Sequence, residues 1–347
     1  MSTLLTVVIA LLVFGFLIFI HEFGHYIFAR IFKVKINEFS IGMGPKLVYY
    51  DSKKTKIRYS LAMLPIGGYV AMEGENEETS DPNAFDKKPA WQRFIITAAG
   101  ATINIVAGFL IMIILATIIP IGNTTIGEFV VDEQFDVSSE DSGLKVGDKI
   151  VKIGKKNVVY YDELSYEIMR QGTKPVDVTV IRDGKKEIIE DVVFPGMSQD
   201  GQSFGMIDFR IYRIDKDFLT VMNYSVRKSF LIVRMCWESI YDLITGRYTL
   251  GAISGPVGIS SAIGDAAKAG VASLLHIAAL ISINLGVMNL LPIPALDGGR
   301  LLTIIIEMIT RKKIPTKVEG IINAVGLGLL LLLSFVIMIK DIVGLII

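Results

Sequence analysis

The chain has 347 residues, 52% of them hydrophobic, and 35 basic residues balance 35 acidic ones. With a positive mean hydropathy, this marks an integral membrane protein rather than an ordinary soluble domain; the net charge itself is uninformative, and no nucleic-acid partner is expected. A single cysteine, Cys236, excludes an intramolecular disulfide and a cysteine-based metal site.

The first predicted element is an apolar span from about Thr3 to Arg30, with no charged side chain from Met1 to Ile20. No basic region precedes it and no small-residue cleavage pattern follows, so it is expected to be retained rather than removed as a signal peptide. His21-Glu22-Phe23-Gly24-His25 lies inside it. Two imidazoles and a carboxylate are expensive in hydrocarbon and call for a functional reason. Residues four apart share a helix face, so His21 and His25 can reach one metal ion. Glu22, beside the first ligand, can take a proton from an activated water, and Gly24 leaves room near the metal.

From 37 to 72 the sequence is glycine-rich and alternating, which predicts strands. Strands at membrane depth must be buried in protein or line a cavity. The acidic run from Glu73 to Asp81 reads as a solvated linker. A second span is expected at about 95–121. A small soluble domain follows, with strands at 128–132, 149–153, 176–182 and 187–194, a helix at 161–171, and a hairpin turn at Arg182-Asp183-Gly184-Lys185. Ser142-Gly143-Leu144-Lys145-Val146-Gly147-Asp148-Lys149-Ile150 resembles the signature turn of a PDZ domain. PDZ domains pair extended peptides with a strand edge. Ile126-Gly127-Glu128-Phe129 would then be the peptide-binding loop, and a cap that only filters access by size is the alternative. Apolar residues at three- and four-residue spacing from Leu219 to Ile244 predict an amphipathic helix.

The third and fourth spans are expected at about 271–291 and 320–339. Asn289-Leu290-Leu291-Pro292-Ile293-Pro294-Ala295-Leu296-Asp297-Gly298-Gly299 closes the third, and its prolines break the helix. Asp297 is the expected third metal ligand, giving a His2Asp site with one open position. The alternative is that Asp297 caps a helix over 298–309. His276 is the rival ligand, but it stands about 20 residues, roughly 30 Å of helix, from Asp297. Basic residues crowd the connections between spans one and two and between spans three and four. The positive-inside rule therefore predicts both termini and the soluble domain outside, with the histidines toward the cytoplasm.

Taken together, these motifs resemble the site-2 protease family, most closely its bacterial regulated-intramembrane-proteolysis zinc metalloproteases of the sigma-E-regulator type. Phe39-Ser40-Ile41-Gly42-Met43-Gly44-Pro45, Leu64-Pro65-Ile66-Gly67-Gly68-Tyr69-Val70 and Ser254-Gly255-Pro256-Val257-Gly258 extend the likeness along the chain. Ala101 stands where members commonly have Pro, and one PDZ-like domain stands where some relatives carry two. The resemblance implies Zn2+ held by His21, His25 and Asp297, with Glu22 as general base. It implies substrate contacts at Asn289 and Pro292, with helix capping the alternative for Asn289. Further contacts are implied at Gly42, Gly44, Gly67 and Gly68 in a membrane re-entrant β-loop.

The expected fold is a multi-pass α-helical membrane protein of about four spans, with that β-loop and one inserted PDZ-like α+β domain. The expected divisions are 1–122, 123–200 (PDZ-like), 201–268 (linker and amphipathic helix) and 269–347. The expected substrates are single-span proteins of the bacterial plasma membrane, such as anti-sigma factors or signal-peptide remnants. A non-proteolytic membrane adaptor and a metal transporter are the other functional readings. An adaptor would tolerate a damaged motif, whereas this one is complete. A transporter would need further His or acidic residues along spans two and four, which hold none.

Overall fold

The computed structural model describes residues 3–75, 77, 79–130, 137–199, 202–247 and 253–346. It divides into two compact units, Met1–Met112 with Ile232–Ile347, and Ile113–Leu231.

The first unit carries the membrane helices. Four helices are long and apolar enough to cross a bilayer, over Leu5–Ile31, Ala90–Ile118, Val271–Asn289 and Val318–Val343. They belong to α1 (Thr3–Ile31), α2 (Ala90–Ile118), α6 (Val271–Asn289) and α8 (Thr316–Ile346). Large apolar residues on them are exposed, among them Leu12, Phe16, Leu329 and Leu331. That suits helices whose outer faces meet lipid rather than water.

Between α1 and α2 the alternating segment forms a two-stranded antiparallel hairpin, β1 (Ile36–Asp51) and β2 (Arg58–Met72). Its register slips repeatedly near Ile41–Lys46. Gly42, Gly44 and Gly67 there have φ of 86°, 88° and 88°, backbone that favours glycine. Ala29, Val34, Ile36, Phe39, Ile57, Val70 and Ile96 form one buried cluster that fixes the hairpin against α1 and α2.

After α6 the chain breaks through Pro292 and Pro294, and α7 (Asp297–Thr310) restarts it. Helix α5 (Pro256–Ala269) falls where the sequence suggested a linker. Pro256 is at its first position, where a missing N–H does no harm. Its cap comes from α8: Gly255 and Gly258 donate their N–H groups to Asp341 Oδ2 at 2.9 and 3.0 Å. The Ser254–Gly258 motif therefore docks a helix.

The second unit is a six-stranded sheet ordered β10-β3-β4-β6-β7, with β5 beside β4. Its strands are β3 (Ile121–Phe129), β4 (Lys149–Ile153), β5 (Lys156–Asn157), β6 (Val176–Arg182), β7 (Lys185–Val192) and β10 (Phe209–Ile214). A short hairpin of β8 (Gly196–Gln199) and β9 (Gln202–Gly205) adds to it. Helix α3 (Tyr161–Gln171) has the expected bounds, and the β6–β7 turn puts Asp183 and Gly184 at φ 50° and 77°. Residues 131 and 132 of the first expected strand lie outside the described residues.

Two expectations are corrected here. Ile126–Phe129 is not a binding loop: it lies in β3, an inner strand between β10 and β4, and Ile126 is fully buried. The sheet also continues past residue 200, because the alternating run Phe209-Arg210-Ile211-Tyr212-Arg213-Ile214 pairs with β3. The expected amphipathic helix is present as α4 (Phe218–Ile244).

Candidate active site

His21 and His25 sit one turn apart on α1 and are buried. Asp297, the first residue of α7, reaches both: its Oδ2 lies 3.1 Å from His21 Nε2 and 3.3 Å from His25 Nε2. The two Nε2 atoms are 3.3 Å apart. Asp297 is the first residue of α7, one place after the cap position, which Leu296 holds without a side-chain cap bond. His276 is exposed and outside this group.

The donor set tests itself for a cation. His25 Nδ1 lies 2.8 Å from the carbonyl oxygen of Ile96, which can only accept, so Nδ1 carries a proton and the neutral ring presents its lone pair at Nε2. Apart from the two imidazoles, no described residue offers a hydrogen bond to the buried Asp297 Oδ2. Lone pairs crowded within 3.3 Å in a buried site repel unless a positive ion sits among them. The three ligand atoms lie within 4.8 Å of one another and could hold a metal ion. Two nitrogens and a carboxylate oxygen suit zinc with an open position.

A cavity of about 350 Å³ opens on these residues, lined also by Glu22, Tyr69–Met72 of β2, Glu75, Thr97 and Arg300. Gly68 of β2 backs Glu22: a Cβ there would come 3.0 Å from Glu22 Cγ. Gly24 lets α1 approach α2, since a Cβ would meet the Ala99 carbonyl oxygen at 2.7 Å. Gly42 and Gly44 on β1, Gly67, Asn289 at the end of α6 and Pro292 in the proline break are not among the cavity-lining residues.

Three features escaped the sequence. Gly100 of α2 lies under both imidazoles, where a Cβ would approach His25 Cε1 to 2.7 Å and His21 Cε1 to 2.9 Å. Asn104, fully buried on the same helix, has its amide 3.2 Å from His21 Nδ1. A lone asparagine in an apolar span is the signal that could have found it. The third is Glu75, which belongs to no simple solvated linker: it pairs with Arg300, one turn after Asp297, and both line the cavity. Residues 76 and 78 of that acidic run lie outside the described residues.

A membrane-embedded pair of histidines one turn apart, joined by an aspartate across a proline break, defines a metallopeptidase of the membrane. The pattern of Peptidase family M50 matches residues 9–333, and the chain belongs to that family. It is 35% identical to a protein of Clostridium acetobutylicum provisionally named a zinc metalloprotease, over 97% of each chain. A Fusobacterium nucleatum protein with the same provisional name is 33% identical, over 97% of this chain and 98% of its own. The regulator of sigma-W protease RasP of Bacillus subtilis is 28% identical, over 97% and 98%. The chain is thus a multi-pass membrane zinc metalloprotease.

Proposed function

We propose that this protease cuts single-span membrane proteins within or beside their transmembrane segments, with His21, His25 and Asp297 holding zinc and Glu22 as the general base. The observation that carries the assignment is the convergence of three lone-pair donors and Glu22 on one cavity walled by a β-strand. Zinc, when bound, supplies the Lewis acid that activates water and polarises the scissile carbonyl. Glu22 takes the proton of the attacking water and returns it to the leaving amine. Asp297 completes the ligand set from a different helix, so the site forms only when α1 and α7 are docked.

A transmembrane helix hides its peptide bonds and must unwind before it is cut. Backbone freed in that way needs new partners. Residues 69–72 of β2 line the cavity and offer strand backbone to an extended substrate. Gly42, Gly44, Gly67 and Gly68 supply the backbone turns of the hairpin's bulged region, while Asn289 and Pro292 hold the substrate from the α6 end. Anti-sigma factors and signal-peptide remnants fit this class, and the name of the Bacillus subtilis relative supports the first.

By function the chain is divided at 1–122, 123–200, 201–268 and 269–347, while the sheet of the second also takes in Ile121, Gly122 and β10. The second is PDZ-like in its strand–helix–hairpin order and either grips a peptide or excludes bulky substrates. Basic connections support termini and β-domain outside, with the site toward the cytoplasm.

The test is Glu22→Gln in the full chain, purified in detergent and supplied with a single-span substrate. Zinc content stays at one equivalent while cleavage falls by roughly 10²–10⁴-fold. Undiminished cleavage with zinc bound would sink the assignment.

A further inference from the structure

Resting on the zinc ligands proposed above, we infer that Asn104 is the positioning residue for His21, its side-chain Oδ1 accepting a hydrogen bond from His21 Nδ1–H. A histidine that offers Nε2 to a metal carries its proton on Nδ1, and an acceptor must face that proton. For His25 the acceptor is the Ile96 carbonyl oxygen, at 2.8 Å. For His21 the group at Nδ1 is the Asn104 amide, at 3.2 Å.

An amide has a donor end and an acceptor end, and the two are interchanged by a half-turn. With Nδ2 toward His21, the imidazole proton is forced onto Nε2, the atom that faces Asp297 and His25, and the lone pair needed for zinc is lost. Asn104 Oδ1 is then buried without a partner. With Oδ1 toward His21, these two faults are relieved, and Nδ2 takes the position that Oδ1 held. The orphaned oxygen gains a donor, and Nε2 is freed for the metal.

The placement of Asn104 is itself fixed. Its side chain is fully buried, and its main-chain oxygen accepts a 2.7 Å bond from the Ser282 hydroxyl of α6. Ile96, Gly100 and Asn104 are spaced by four along α2, so one stripe of that helix meets both imidazoles. A carbonyl stands at one end, an amide at the other, and a glycine between them gives the rings room.

The experiment measures zinc affinity of the purified full chain by chelator competition, with thermal unfolding of the metal-free protein alongside. Asn104→Leu is expected to weaken zinc about 10- to 100-fold, the usual cost of a lost outer partner. Its metal-free unfolding midpoint should fall no further than that of Ser282→Ala, which loses only the bond to the Asn104 main chain. Asn104→Asp, which keeps an acceptor at the same place, is expected to hold zinc within a few-fold of the natural chain. Unchanged affinity in Asn104→Leu overturns the inference. So does equal loss in the Leu and Asp variants, which would mark Asn104 as packing alone. His21→Ala is the control that separates the two levels: if it leaves zinc binding intact, the ligand assignment itself fails, whatever Asn104 does.

Discussion

Adding one methyl group at Gly100 tests the α1–α2 contact that shapes the site. A Cβ at this position would come within 2.7 Å of His25 Cε1 and 2.9 Å of His21 Cε1. Carbon atoms prefer about 3.5–4.0 Å, so each ring must retreat by roughly 1 Å or the helices must part. Overpacking of this kind costs about 1–3 kcal/mol. Released through the imidazoles, that strain lowers zinc affinity roughly 5- to 140-fold, since about 1.4 kcal/mol is a factor of ten. Gly100→Ala is therefore expected to lose zinc to a chelator that leaves the natural chain loaded. Cleavage of a single-span substrate should fall at least in proportion. Gly15→Ala is the control, because Gly15 lies on α1, the helix that carries the histidines, and a Cβ there meets nothing within 4 Å. Its zinc affinity should equal that of the natural chain. Should Gly100→Ala also bind zinc normally and cleave normally, the close approach of α2 to the histidines would be refuted.

Two further expectations concern the scaffold. Asp148 has a side chain 1% exposed and accepts two 2.7 Å bonds from Arg182, one from Nε and one from Nη2. Asp148→Ala should destabilise the β-domain by about 3 kcal/mol, the low end for breaking a buried pair because Arg182 keeps some solvent contact. Faster hydrogen exchange in β4 and β6 would register the loss, and unchanged exchange would contradict it. Asp341→Ala removes the acceptor for the first N–H groups of α5 and should cost about 1–2 kcal/mol of local stability. It is read as faster exchange across Pro256–Ala269, with zinc affinity unaltered.

Much of this architecture is legible in local pattern. The four spans follow from apolar run length, and α3 from the periodicity of 161–171. His21 and His25 follow from their spacing, and Asp297 from the proline break before it. What local pattern does not carry is register between distant elements. Nothing in the sequence near Ile126 says that β10 lies on its outer side; that depends on a strand more than 80 residues later. Glu75 looks like one charge in an acidic loop until α7 brings Arg300 to it. Gly100 and Asn104 belong to the site only because α2 runs against α1 in one particular alignment. A lone asparagine in hydrocarbon signals that something polar is needed, without saying what faces it.

X-ray absorption at the zinc edge reads the ligand set on the metal itself. Zinc held by His21, His25 and Asp297 shows two imidazole nitrogens and a carboxylate oxygen at about 2.0–2.2 Å. It should be lost in His21→Ala, His25→Ala and Asp297→Ala but kept in His276→Ala. A sulfur neighbour at about 2.3 Å, or zinc that survives in Asp297→Ala and leaves in His276→Ala, would contradict this ligand set.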